Sequence, residues 1–186
     1  MTTFHDAVPT VRAEAVWRRL VDAAMGEGCD PETVRVAAVV TLARASAGRA
    51  RIGPLAGLYA DDVDLERGWV TLTHTRPGRG GGAPYRQAYP LGDGALVMLR
   101  RWHTVRDALV AGLDNPGSVR NVFVTVRPAT RADGSLYPAG MPIHADGLIT
   151  SYRRAAARLN AEHAGAYGWE PLPARFEQLR RAWQAV

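Results

Sequence analysis

This 186-residue sequence contains no lysine; all 23 of its basic residues are arginine. A biased genomic composition rich in Ala, Gly and Pro is the plain source of that skew. The chemical consequence holds whatever the source. Arginine grips phosphate through a planar fork of donors, but its pKa above ~12 makes it a poor proton donor. Cysteine is nearly absent too. Cys29 stands alone, which excludes an internal disulfide framework and a cysteine-based zinc site and fits a reducing, cytoplasmic setting. The opening MTTFHDAVPT lacks the basic-then-apolar order of a signal peptide, and no apolar run is long enough to span a bilayer, so no membrane association is expected. What is present suits a globular domain: 47% hydrophobic residues, a net charge of +5 and a pI near 10.0. The charge favours a polyanionic partner.

The hydrophobic period divides the chain. Val11, Ala15, Val16, Leu20 and Ala24 recur at helical spacing, with Thr10 as a candidate cap and Gly26 and Gly28 as the stop. Asp30-Pro31-Glu32 reads as a second helix start, and VRVAAVVTLARA is apolar enough to be a buried helix ending near Gly48. A short third helix should hold Leu55 and Leu58. The period then shifts to two over residues 68–73 and again over residues 85–89, around the loop RPGRGGGAP. That pattern predicts a β-hairpin with a long, mobile, basic tip. Asp93 should cap a helix over 94–111, and residues 121–126 should form a short apolar strand. Residues 128–142 read as a loop with a DG turn, residues 146–163 as an arginine-studded helix, and a last helix should begin near Ala174. Trp17, Trp69, Trp102, Trp169 and Trp183 are expected as buried or partly buried packing residues. With no repeat and no linker, residues 1–186 read as one α+β domain, mainly helical, with a small antiparallel sheet.

In this order of elements the sequence resembles the catalytic domain of tyrosine recombinases, the phage-integrase family. Arg51-Ile52, Leu55, Leu58 and Asp62-Val63-Asp64-Leu65 fall at the offsets of the family's first arginine motif and select Arg51 over Arg49. Arg86 through Tyr89-Pro90-Leu91 resembles the family's hairpin exit, and Glu177-Gln178-Leu179-Arg180 stands where the family carries His-x-x-Arg. The resemblance implies the DNA breaking-rejoining fold, double-stranded DNA as partner, and no metal or other cofactor. It also implies a clamp in which Arg51 and Arg180 hold the non-bridging oxygens of a phosphodiester attacked by a tyrosine. His74, His103, His144 and His163 show no metal-ligand spacing.

The sequence departs from the family where proton transfer and attack occur. The hairpin lysine is replaced by Arg76 or His74, the box histidine by Glu177, and the acidic residue supporting the first arginine by Pro54. None of Tyr59, Tyr85, Tyr89, Tyr137, Tyr152 and Tyr167 follows the second box, so none is carried over as nucleophile. The expectation is a truncated or degenerate recombinase-like domain that lacks the N-terminal clamping domain and the C-terminal tyrosine segment and binds DNA without cutting it. Two other readings stay open. One is a piece of an active integrase that works through a downstream tyrosine; the other is a protein-interaction scaffold that has lost DNA. Arg76, Arg79 and Arg86 on the hairpin and Arg153 and Arg154, beside Arg158, on the basic helix are the candidate DNA contacts; each also reads as a solvated surface arginine. The helix holding Leu179 and Trp183 is expected to leave an apolar face for a homodimer or a recombinase partner.

Overall fold

One helix organises the molecule. In the computed structural model, which describes residues 8–75, 83–130 and 133–184, α2 (Pro31–Ala45) is buried at every position from 32 to 43. A helix apolar on all sides has no solvent face to offer, and α2 is accordingly wrapped by α1 (Thr10–Met25), α4 (Asp93–Ala111), α5 (Ala145–Glu162) and α6 (Phe176–Gln184). α1 turns Ala13, Val16, Leu20 and Ala24 inward, a stripe in which each large side chain contributes about 1.5–3 kcal/mol before entropy. From α4, Trp102 stacks on Phe123 with ring centroids 6.0 Å apart and donates Nε1–H to the Val122 carbonyl at 2.9 Å. The short α3 (Ile52–Ala56) follows α2 through the loop that carries both Arg49 and Arg51.

The sheet lies beside this bundle. β1 (Val63–Asp64), β2 (Trp69–Thr75) and β3 (Pro84–Pro90) are antiparallel in that order, with Asp64 opposite Trp69 and Trp69 opposite Pro90. Val70, Leu72 and His74 face inward along β2, so alternation sends Trp69 outward, where it is 46% exposed rather than packed. The basic tip, including Arg76 and Arg79, lies outside the described residues.

Several boundaries differ from the sequence expectation for identifiable reasons. Residues 121–126 are not a strand. Their backbone forms only the isolated bridges Tyr59–Asn121 and Val124–Pro142, because side chains take the carbonyls a neighbouring strand would use: Arg106 at Asn121, Trp102 at Val122 and Arg35 at Val124. The loop after Pro128 contains a small hairpin, β4 (Ala129–Thr130) with β5 (Leu136–Tyr137). Thr10 is the first residue of α1 rather than its cap, and its hydroxyl donates to the Ala182 carbonyl at 2.8 Å. Asp30 is the N-cap residue of α2 as expected, and its carboxylate is taken by Arg158 at 3.0 Å and Arg127 at 3.3 Å. α4 and α5 each begin one residue earlier than expected, and α6 starts two residues after Ala174.

The expectation of an open apolar face on the last helix is also corrected. Phe176, Leu179, Ala182 and Trp183 are all buried, against α1, α2 and α5, and the Trp183 indole donates to Glu14 at 2.9 Å. The chain covers that face itself, which removes the reason for a partner there.

α2 ends in a Schellman turn. The Gly48 N–H reaches the Ala43 carbonyl at 2.8 Å and the Ala47 N–H reaches Arg44 at 2.9 Å, with Ala47 and Gly48 both left-handed (φ 48° and 68°). A Cβ on Gly48 would land on the Arg180 carbonyl oxygen and within 2.9 Å of Gln184. Gly48→Ala should therefore destabilise the domain by roughly 3 kcal/mol from backbone strain plus overlap. Ala47→Gly should stabilise it by about 1 kcal/mol by relieving the left-handed alanine. Urea denaturation of both variants checks the opposite signs.

Candidate nucleic-acid interface

The loop between α2 and α3 is held by its own backbone and by Ser46. The Ser46 hydroxyl accepts from the Ala50 N–H at 3.0 Å and donates to the Ala43 carbonyl at 2.9 Å, and the Arg49 N–H bonds the Ser46 carbonyl at 3.0 Å. Ala50 is thereby driven into the core while Arg49 and Arg51, on either side of it, stay exposed. Arg51 is the N-cap residue of α3, and its carbonyl receives the Leu55 N–H at 3.2 Å. Among the described residues its guanidinium has no hydrogen-bond or ion-pair partner. An exposed guanidinium is suited to an anion, because it carries its positive charge toward solvent.

Arg180 is in the opposite condition. It is 4% exposed. Nη1–H donates to the Gly48 carbonyl, while Nε and Nη2 donate to the two oxygens of Glu177 at 2.7 and 2.5 Å. The two residues proposed from the sequence as a clamp thus meet through one loop: Arg180 grips Gly48, three positions before Arg51. Glu177 also accepts from Arg181 at 3.1 Å. These guanidinium hydrogen bonds, Arg180 first, hold the Glu177 carboxyl below the usual glutamate range despite partial burial. The i,i+3 and i,i+4 spacings of Glu177 to Arg180 and Arg181 were readable in the sequence; the engagement of Gly48 was not.

The inner face of the hairpin adds a cluster that sequence spacing did not reveal. His74 on β2 stacks on Tyr85 at 5.3 Å and contacts the Tyr89 hydroxyl through Nε2 at 2.9 Å; that hydroxyl donates to Gln87 at 2.9 Å. With its one proton given to Gln87, Tyr89 accepts from His74, which assigns the proton of a neutral imidazole to Nε2. Burial pushes His74 below its ordinary value, and Arg49 adds to that shift. Burial raises Tyr89, and Arg49, which hydrogen-bonds it, opposes the rise. Arg49 therefore faces the hairpin. The alternation of Arg49, Ala50 and Arg51 was the only hint that two arginines would be displayed.

The remaining sequence candidates divide. Arg86 is engaged by Asp62 at the surface, and Arg154 donates to the buried Glu32 at 2.6 Å. Arg158 pairs with Asp30, while Arg153 is exposed on α5. Arg76 and Arg79 fall outside the described residues. Among the described residues no group of three or more His, Cys, Asp or Glu is placed to hold a metal, and no helix is long and apolar enough to cross a membrane.

The Glu177 contacts make acid sensitivity testable. Its folded pKa is depressed, so the ionised form is the one the fold stabilises. That contribution is complete above about pH 4.5 and is lost as pH falls through the lower folded value. Glu177→Gln should be less stable than the parent at pH 7, and the difference should shrink as pH falls below about 4.5. Denaturant unfolding across that range measures it.

No protein-family model matches the chain, and no curated protein matches it in sequence. Solved structures do match. The XerA recombinase superposes with a TM-score of 0.56 at 17% identity, over 98% of this chain and 50% of that one. The Tn1549 transposon integrase in complex with transposon right end DNA gives 0.58 at 17% identity, over 97% of this chain and 53% of that one. The same integrase with circular intermediate DNA gives 0.52 at 15% identity. The chain thus spans about half the length of the structures it resembles. Its fold is that of a tyrosine-recombinase catalytic domain, mainly helical with a small antiparallel sheet.

Proposed function

We propose that this chain is a DNA-binding domain of the recombinase type that holds duplex DNA by its backbone and does not cut it. The observation that carries the reading is the contrast between the two clamp arginines. Among the described residues Arg51 is exposed and has no partner, whereas Arg180 has its donors committed to Glu177 and Gly48. A phosphate can approach the first without displacing anything. To reach the second it must compete with a carboxylate already bound bidentately. Arg49 supplies a further cation on the hairpin side. The proton-transfer side is equally muted. His74 is held neutral and hydrogen-bonded, and Tyr89 is held as a phenol, so neither provides a ready acid or an attacking phenolate. The Tn1549 integrase was solved on DNA, and the shared fold supports the same class of ligand here.

Fluorescence anisotropy on a labelled duplex should give an affinity that falls steeply with salt. Arg51→Ala should weaken binding roughly five- to tenfold on any duplex sequence and lower the salt slope by about one. A suicide substrate should yield no covalent adduct. A tyrosine-linked adduct would overturn the non-cutting reading in favour of an integrase part. Absence of duplex binding at low salt would overturn DNA binding itself and favour a protein-interaction scaffold.

A further inference from the structure

Arg180 and Glu177 form a pair in which only one partner is fixed. The Arg180 guanidinium is buried, and its Nη1 is tied to the Gly48 carbonyl, so it keeps its place whether or not a carboxylate is beside it. The Glu177 side chain is 45% exposed and meets solvent as well as the guanidinium. Both of its oxygens are bonded. Oε2 accepts from Arg180 Nε at 2.7 Å; Oε1 accepts from Arg180 Nη2 at 2.5 Å and from Arg181 Nε at 3.1 Å. Three N–H donors from two arginines therefore converge on one anion. Among the described residues no other carboxylate pairs with either arginine.

A surface ion pair between two mobile side chains holds nothing open when it breaks. Here the broken pair would leave a buried cation without its counterion, a costly state that an anion from solvent relieves. The fork of Nε and Nη2 takes two oxygens of a phosphate as readily as two oxygens of a carboxylate. Gly48, which Arg180 holds, is three positions before the exposed Arg51, so the pair and the anion-facing edge share one loop.

We infer that Glu177 is an internal competitor: its carboxylate fills an oxyanion seat made by Arg180 and Arg181 and keeps an external phosphate out of it. This role rests on the DNA-binding reading above for its ligand. It makes residue 177 the one that sets how tightly the surface holds a phosphate, because the cationic seat is intact and occupied.

The test uses the whole chain with Glu177→Gln, which keeps the side-chain length and removes the charge, and Glu177→Ala as a second variant. Circular dichroism establishes which of them is folded, and either one suffices. Sodium phosphate should raise the Tm of the variants by about 2–4 °C over sodium chloride of equal ionic strength and should leave the parent at its chloride value. Asp22→Asn, which removes an exposed carboxylate on α1, should respond as the parent does. Adding Arg181→Ala to Glu177→Gln should remove at least half of the phosphate response. Duplex affinity should rise about three- to tenfold in the Glu177 variants, with a salt slope steeper by about one. Phosphate and chloride acting alike on the Glu177 variants would overturn the inference, whatever the duplex affinity does. Phosphate stabilising those variants while no chain binds duplex at low salt would uphold the seat and overturn the DNA-binding reading, so the two failures are told apart.

Discussion

The hydrogen bond from Arg180 to the Gly48 carbonyl fixes where the rest of the site can be. α6 is nine residues long, too short to hold its helix alone, and it is kept by tertiary contacts. That bond joins it to the turn leaving α2 at the point where glycine permits the two backbones to touch. Everything downstream inherits this placement: Ala50 anchors, Arg49 turns to the hairpin, and Arg51 opens α3. Glu177 completes the arrangement by neutralising Arg180, so that a buried cation holds the loop instead of seeking a ligand.

The chemistry left at the surface is one-sided. A chain without lysine supplies charge without dischargeable protons. The two groups that titrate nearest the hairpin, His74 and Tyr89, are bonded to each other and biased by burial toward their neutral forms. Such a surface attracts and orients a polyanion. The described residues on it favour contact with anionic oxygens over proton exchange, in keeping with the DNA-holding role proposed above.

Much of the fold was legible because its signals are local. The apolar run from Val34 announced a buried helix, and the change of period at Gly68 announced the hairpin. Residues 121–126 misled because an apolar run of that length suits a strand, yet arginine and tryptophan side chains from distant helices claim its carbonyls. Trp69 misled because aromatic character predicts burial, whereas its register on β2 decides its face. Motif offsets singled out Arg51 and Arg180, but neither offset nor composition could reveal that, among the described residues, the first has no partner while the second is bonded to Glu177 and Gly48. The same holds for Arg154: a basic helix stripe reads as solvated or DNA-facing, but its carboxylate partner, Glu32, lies more than a hundred positions away.

The enclosure of α2 has a kinetic meaning. Amide protons in its middle turns have no route to water except through separation of the helices packed around it, so local fraying cannot release them. Their hydrogen exchange should therefore report the opening of the entire domain and follow its global stability. The edge proposed to face an anion is thus mounted on a helix that opens only with the whole domain.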